Sequence, residues 1–118
     1  MSEKKQNRWR RLLRKAANIL KKSSWCKGTL ARDKNGAYVE NPLNPTAESF
    51  CLVGSLIKAY GKDPFSRYGG YPEMDGPYSI ALNKLRGTFD TSLPIWKFND
   101  TAQSKEEVIN FMLKVANE

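Results

Sequence analysis

The chain of 118 residues contains no histidine and only two cysteines, Cys26 and Cys51. Without an imidazole, Ser-His and Cys-His nucleophilic sites, histidine general bases and most catalytic zinc sites are excluded. Two thiols alone do not close a structural zinc site, and we expect them to stay reduced rather than to form a disulfide framework. We therefore expect no cofactor and favour a binding protein over an enzyme, although carboxylate, cysteine and lysine chemistry remain open.

Long apolar runs are also missing. No run approaches the roughly 20 residues that a membrane-spanning helix requires, and the N-terminal sequence MSEKKQNRWRR is too polar for a secretory signal. These absences predict a cytoplasmic protein that is not embedded in a membrane. The length and the 40% apolar composition predict a single globular domain, at residues 7–118, behind a disordered basic tail at residues 1–6. We expect this domain to be a monomer.

Acidic residues are scarce in the first third of the chain. Residues 1–34 carry twelve Lys and Arg against two acidic residues, whereas residues 35–118 carry eight basic and ten acidic residues. The formal net charge of +8 is therefore concentrated near the N-terminus. A basic pole of this kind indicates an anionic partner, such as nucleic acid, a nucleotide, an acidic protein surface or an anionic membrane.

Apolar periodicity predicts four helices, at residues 7–22, 46–60, 77–86 and 105–117. The second contains the most apolar run, AESFCLVGSLIKAY. We expect Asn44 and Pro45 to supply its cap and first-turn proline, and Gly61 to end it. One strip of this helix is small enough for another backbone to approach closely, and it consists of Ala47, Cys51, Gly54 and Ser55. Pro77 is predicted to lie in the first turn of the third helix, and Ser104 and Glu107 are predicted to form a capping box at the start of the fourth.

A β-hairpin is predicted at residues 29–40, because Asn35-Gly36 lies between two short runs that favour strands. Residues 61–77 show neither a helical nor a strand period and are predicted to form a long loop. The aromatic residues of this loop either fasten it to the core or face a ligand. The expected fold class is α+β, mostly α, with four helices, one small hairpin and the long loop.

The basic third supplies most of the candidate ligand-binding residues. The first helix is predicted to bury an apolar face and to leave arginines on the other face. That basic face is either a solvated surface or a phosphate-binding surface, and a membrane-bound amphipathic helix is a third interpretation. Arginine binds phosphate bidentately, and aromatic rings stack on bases. The predicted ligand-binding residues, which Lys22 assists, are Arg8, Arg10, Arg11, Arg14, Lys15, Trp25, Lys27, Arg32, Tyr68 and Tyr71.

Four short motifs carry a resemblance: WCKG at 25–28, ARDKNG at 31–36, FCLVGSL at 50–56 and FND at 98–100. In them the chain resembles a family of small uncharacterised domains of bacteria and their phages, with the patterns W-x-x-G, A-R-D-x-x-G, F-C-L-x-G-A-L and W-N-D. Ser55 replaces the usual alanine, and Phe98 replaces the tryptophan. The resemblance covers about residues 16–116 and implies no established activity. It implies a common site for Cys51, Asn99 and Asp100, and a phage or prophage origin.

These three residues also permit an alternative function, a cysteine- or carboxylate-dependent enzyme centred on Cys51 and on Asn99 and Asp100. A thiolate needs activation, and the chain has no imidazole to provide it. The structural interpretation is a buried cysteine in a helix contact and an Asn-Asp pair in a turn or cap. We therefore expect a non-enzymatic phage-type binding protein, active in the host cytoplasm, whose basic first helix engages an anionic partner. An anti-defence role would suit such a protein.

Overall fold

The computed structural model describes residues 2–62, 76–90 and 92–118, which form five helices and a small four-stranded sheet. The α+β, mostly helical class agrees with the prediction. The first helix, α1, spans Ser2–Lys22 and therefore starts earlier than residue 7. Its predicted apolar face is confirmed, since the i, i+3, i+4 positions are buried: Trp9, Leu12, Leu13, Ala16, Ala17 and Leu20.

The predicted hairpin forms, but it is only part of a sheet. The strands are β1 (Ser24–Trp25), β2 (Ala31–Arg32), β3 (Tyr38–Val39) and β4 (Ser49–Phe50), in the spatial order β1-β4-β2-β3. β2 pairs antiparallel with β3 and with β4, whereas β1 and β4 are parallel. Gly36 closes the hairpin turn with φ 85°. Strands of two residues are too short to produce an alternating pattern, which explains why β1 and β4 were not predicted.

The second helix, α2, spans Leu52–Tyr60, so the predicted start at residue 46 is wrong. Ser49 and Phe50, which lie within the predicted helix, form β4 instead, and the preceding Glu48 N–H donates to the Arg32 carbonyl oxygen at 2.9 Å. Asn44 does not cap a helix, because its Oδ1 accepts from the Thr46 N–H at 3.0 Å and forms a turn. Pairing with neighbouring strands therefore overrides the helical periodicity of this segment.

The N-cap of α2 is Cys51, whose Sγ accepts from the Gly54 N–H at 3.2 Å. Gly61 ends the helix with φ 79°, as predicted. The predicted close approach occurs at Gly54, where an added Cβ would lie 1.9 Å from the carbonyl oxygen of Leu30. That same oxygen accepts from the Cys51 N–H at 3.2 Å. The start of α2 is therefore held directly against the segment that leads into β2.

The third helix, α3, spans Pro77–Phe89; it begins at the predicted proline but continues past the predicted end at residue 86. An exposed glycine such as Gly87 weakens a helix without ending it. The fourth helix, α4, spans Ile95–Thr101 and was not predicted. Seven residues form only about two turns, which is too short for a helical period to stand out.

The last helix, α5, spans Lys105–Ala116, with Ser104 as its N-cap. The Ser104 Oγ accepts from the Glu107 N–H at 3.2 Å, which confirms that half of the predicted capping box. The Glu107 carboxylate accepts from the Gln103 N–H instead of that of Ser104. The cap still fixes the start of α5 in the predicted place.

One apolar core lies between α1, α2, α3 and α5, and its largest fully buried side chains include Leu13, Leu20, Leu52, Leu56, Leu85 and Met112. Within the described ranges, no helix combines the length and the apolarity that a membrane crossing would need. Most of the predicted long loop, including Tyr68 and Tyr71, lies outside the described residues.

Candidate functional site

The outer face of α1 carries an exposed line of cations, here called the first-helix ridge: Arg8, Arg11, Lys15 and Lys22. These four side chains make no hydrogen bond or ion pair within the described part of the chain. At about 1.5 Å per residue, the ridge extends along about 21 Å of the helix axis. Four predicted or assisting residues are therefore available to an external anion.

The other two predicted arginines of α1 face the C-terminal end of α5. The Arg10 Nη1 donates to the carbonyl oxygens of Ala116, at 2.9 Å, and Glu118, at 2.8 Å. The Arg14 Nη2 donates to the Asn117 Oδ1 at 2.9 Å. The last carbonyls of a helix have no partner within it and carry partial negative charge. Arg10 and Arg14 thus attach the C-terminal end of the chain to α1. The sequence had predicted them as ligand-binding residues and gave no sign of this structural role.

A concave basic surface, here called the lysine groove, lies where α1 ends, α2 ends and α5 begins. The cavity measures about 590 Å³, and four lysines line it: Lys21, Lys22, Lys58 and Lys105. Glu48 is its one acidic lining residue among the described residues. Lys105 also donates from Nζ to the Ser23 carbonyl oxygen at 3.0 Å. The groove therefore joins cations from three helices that are distant in sequence.

A second cavity, here called the sheet cavity, measures about 490 Å³ and brings together three predicted residues, Trp25, Lys27 and Arg32. Lys34 also lines it. Glu48 borders both this cavity and the lysine groove, as does Ser24, so the two cavities adjoin. The lysine groove and the sheet cavity therefore form one continuous basic surface.

Tyr38, on the edge strand β3, is an exposed aromatic residue beside this surface, with 72% of its area accessible. The guanidinium carbon of Arg32 lies 4.8 Å from its ring centroid. Tyr38 is not among the predicted ligand-binding residues, although alternation with the buried Val39 across the predicted hairpin could have placed it outward.

A third cavity, here called the Trp96 pocket, measures about 430 Å³ and contains the three residues of the implied site, Cys51, Asn99 and Asp100. The remaining lining residues are Gly28, Thr29, Leu30, Val53 and Trp96. Trp96 is 55% exposed and was not selected from the sequence, because α4 itself was not predicted. The pocket lies between the start of α2, the segment before β2, and α4.

Asn99 occupies the centre of this region and is 1% exposed. Its Oδ1 accepts from the Trp25 Nε1–H at 2.7 Å and from the Leu52 N–H at 2.9 Å. Its Nδ2 donates to the Cys26 carbonyl oxygen at 3.1 Å. The amide of Asn99 is thus committed to joining β1, α2 and α4, which is a structural role.

The two thiols are buried and protonated at neutral pH. Burial raises the pKa of Cys51 from 9.0 to about 11, against the opposing effect of the hydrogen bond from the Gly54 N–H. The pKa of Cys26 is also raised, mainly by burial. Since the thiolate is the nucleophile, neither sulfur has the environment of an activated cysteine.

We expect Cys51 to be unreactive in the folded protein. A pKa two units above 9.0 leaves about 100-fold less thiolate than an unperturbed thiol has at neutral pH. In a Cys26→Ser variant, a thiol reagent should therefore label Cys51 at least about 100-fold more slowly in buffer than in denaturant. Equal rates in the two conditions would restore the enzyme hypothesis.

Comparison with known proteins matches the chain to a family model. The model of DUF6197, described as a family of unknown function, matches residues 4–118. No curated protein and no solved structure matches the chain.

Proposed function

This chain belongs to the DUF6197 family, and we propose that it binds single-stranded nucleic acid along the continuous surface of the lysine groove and the sheet cavity. The convergence of lysines from three helices on one concave surface carries the proposal. Like charges repel one another, so bringing four lysines together lowers stability unless an anion binds between them.

The charge of this surface suits a polyanion. The two cavities are lined by seven basic residues, against Asp33 and Glu48 as acidic ones. Asp33 is occupied by its own turn, where its Oδ1 accepts from the Asn35 and Ala37 N–H groups at 2.8 and 3.0 Å. Arg32 is also engaged, because its guanidinium donates to the carbonyl oxygens of Gly36 and Lys27 at 2.9 and 3.2 Å. Since the lysines are flexible point charges, they favour phosphate contacts without sequence selection.

Aromatic residues beside the surface favour a single strand over a duplex. The Tyr38 ring is largely exposed, and Arg32 lies against it. In the sheet cavity, the Lys27 Nζ lies 5.2 Å from the Trp25 ring centroid. Proteins that bind single strands combine a basic groove with aromatic rings on which unpaired bases stack. Tyr38 is positioned to provide such a ring.

The first-helix ridge would extend this surface, because Lys22 belongs to both the ridge and the lysine groove. In this proposal the predicted cations of α1 provide additional phosphate contacts, while Arg10 and Arg14 hold α5. The concave surface binds the strand first, and the ridge adds affinity for longer strands.

The test is the binding of a fluorescent oligonucleotide at several salt concentrations. Replacing Lys21, Lys22 and Lys58 with glutamine should reduce the slope of log affinity against log salt by about 2, since each phosphate contact on a single strand contributes about 0.7. Affinity at low salt should fall roughly 100-fold. Lys105 is left in place because it also bonds to Ser23.

The matched control removes the same net charge elsewhere, by glutamine at Lys84, Arg86 and Lys114, three exposed cations of α3 and α5. This variant should bind within about fivefold of the parent protein, because distant charges are screened beyond about 10 Å at 0.1 M salt. If both triple variants weaken binding equally, net charge and not the groove is responsible. If the parent protein does not bind, the proposal is wrong.

The anti-defence role remains a prediction, and so does the alternative function of a cysteine- or carboxylate-dependent enzyme. The resemblance to phage domains implies a phage-encoded protein that acts against a host defence, for which a nucleic-acid ligand would be suitable. The cysteine enzyme finds no support in the geometry, because Cys51 caps α2 and the Asn99 amide is fully bonded. Thiol labelling, described above, separates the enzyme from the binding protein.

A further inference from the structure

We propose that the Trp96 pocket binds a nucleobase that carries an exocyclic amino group, with Asp100 as the residue that selects it. This inference rests on the proposed function in one respect, since a bound strand would supply the base. The pocket itself is defined by different residues from those of the lysine groove. Its specificity can therefore be tested without a strand.

The walls of the pocket suit a flat, partly apolar ring. The Trp96 indole is 55% exposed and forms one wall, while Leu30 and Val53 line the cavity from other elements. A volume of about 430 Å³ lies within the range of about 300–1,000 Å³ that is usual for small-ligand pockets. Stacking on an aromatic side chain is the common way in which proteins hold an unpaired base.

Asp100 provides a hydrogen-bond acceptor at the polar end. Its Oδ1 accepts from the Gly28 N–H at 3.1 Å and from the Asn99 Nδ2 at 3.4 Å, which fixes the carboxylate in place. Within the described part of the chain, its Oδ2 makes no hydrogen bond. Carboxylates accept hydrogen bonds from base amino groups, such as N4 of cytosine. Where position 4 of a pyrimidine ring faces Asp100, cytosine presents this amino donor and uracil presents the O4 carbonyl oxygen, which the carboxylate repels.

Other ligand classes fit the pocket less well. An anion would be repelled by the Asp100 carboxylate. In addition, two backbone N–H groups at the start of α2 already donate to other acceptors. The Leu52 N–H is bonded to Asn99, and the Gly54 N–H is bonded to the Cys51 sulfur. A small hydrated cation would leave the apolar walls formed by Leu30 and Val53 without a contact. A neutral ring with an exocyclic amino group contacts both these walls and Asp100.

The pocket is also placed where a bound strand could reach it. Lys27 lines the sheet cavity and Gly28 lines the Trp96 pocket, so their Cα atoms, about 3.8 Å apart, mark the boundary between the two. A phosphate held by Lys27 would leave its neighbouring base near the mouth of the pocket. In this proposal the Trp96 pocket selects the base, whereas the lysine groove and the sheet cavity contact phosphates without sequence selection.

The experiment uses nucleosides, which lack phosphate and therefore do not depend on the lysine groove. Cytidine and uridine are titrated separately into the full chain, and their dissociation constants are measured by ligand-observed NMR. We expect cytidine to bind about tenfold more tightly, in line with the discrimination that a hydrogen-bonded base edge provides. In Trp96→Ala, neither nucleoside should bind measurably, because the stacking surface is gone.

The Asp100→Asn variant gives the sharpest result. The new side chain can keep its oxygen on the Gly28 N–H and present its NH₂ group where Oδ2 was, so a donor replaces an acceptor. The preference should therefore reverse, and uridine should bind more tightly than cytidine. Thermal unfolding of the variant confirms that it is folded. An unchanged preference in Asp100→Asn, or equal or absent binding of both nucleosides by the parent protein, would overturn the proposal.

The outcomes separate this inference from the proposed function. Nucleoside discrimination without salt-dependent oligonucleotide binding would leave the pocket assignment standing and refute the strand-binding function. Oligonucleotide binding that depends on the lysine groove, without nucleoside discrimination, would support the strand-binding function and refute the pocket assignment.

Discussion

Alanine in place of Gly54 is expected to destabilise the protein by about 3 kcal/mol or more, at the upper end of what overpacking a core usually costs. The added Cβ would lie 1.9 Å from the Leu30 carbonyl oxygen and 2.9 Å from its carbon. Both are backbone atoms, so no side-chain rotation relieves the overlap. Moving Leu30 would also stretch the hydrogen bond that its oxygen accepts from the Cys51 N–H. Urea unfolding of the purified variant measures the loss.

Gly87→Ala is the matched control, because it is the same substitution inside another helix. An added Cβ at Gly87 meets nothing within 4 Å. Alanine has the higher helix propensity, so this variant should be more stable by about 0.5–1 kcal/mol. The two substitutions are therefore expected to have opposite signs. If Gly54→Ala were as stable as the parent protein, the close contact between α2 and Leu30 would be refuted.

Features that depend on neighbouring residues were predictable from the sequence. The apolar face of α1, the Pro77 start of α3, the Ser104 cap of α5 and the Gly36 turn all follow from spacing and residue type within a few positions. The close approach at Gly54 was also predicted, because small residues on a buried helix leave room for a backbone. Local chemistry fixed each of these features, so reasoning from local sequence was sufficient.

Features that depend on distant pairing were not predictable. The sequence around Glu48 reads as the first turn of a helix, but its N–H bonds to Arg32 in the sheet. Only the folded chain brings those segments together, and a strand of two residues leaves no periodic signal. α4 was missed for the related reason that its seven residues are too few.

The same division applies to the candidate site. The motif resemblance implied that Cys51, Asn99 and Asp100 form one group, and the structure places them around one pocket. The role of Arg10 was hidden, because it bonds to Ala116, 106 residues away. The lysine groove also depends on tertiary structure, since its lysines come from both ends of the chain and from its middle. The distribution of charge along the sequence predicts the basic N-terminal third, but it does not predict the lysine groove.

Asn99 connects the two candidate binding regions, because it bonds to Trp25 of the sheet cavity while lining the Trp96 pocket. Its Oδ1 also accepts from the Leu52 N–H, and its Nδ2 donates to the Cys26 carbonyl oxygen. One amide therefore serves three elements at once. A disturbance at this residue should reach both regions.

Asn99→Ala is accordingly expected to cost about 3–5 kcal/mol, because truncation leaves three polar groups without their partner, and each unsatisfied buried group costs about 1–3 kcal/mol. Asn110→Ala is the control, since Asn110 is exposed on α5 and should change stability by no more than about 0.5 kcal/mol. Chemical unfolding of the two variants gives the comparison. A loss below about 1 kcal/mol for Asn99→Ala would mean that water replaces the amide, and that the sheet and α4 are not joined through this residue.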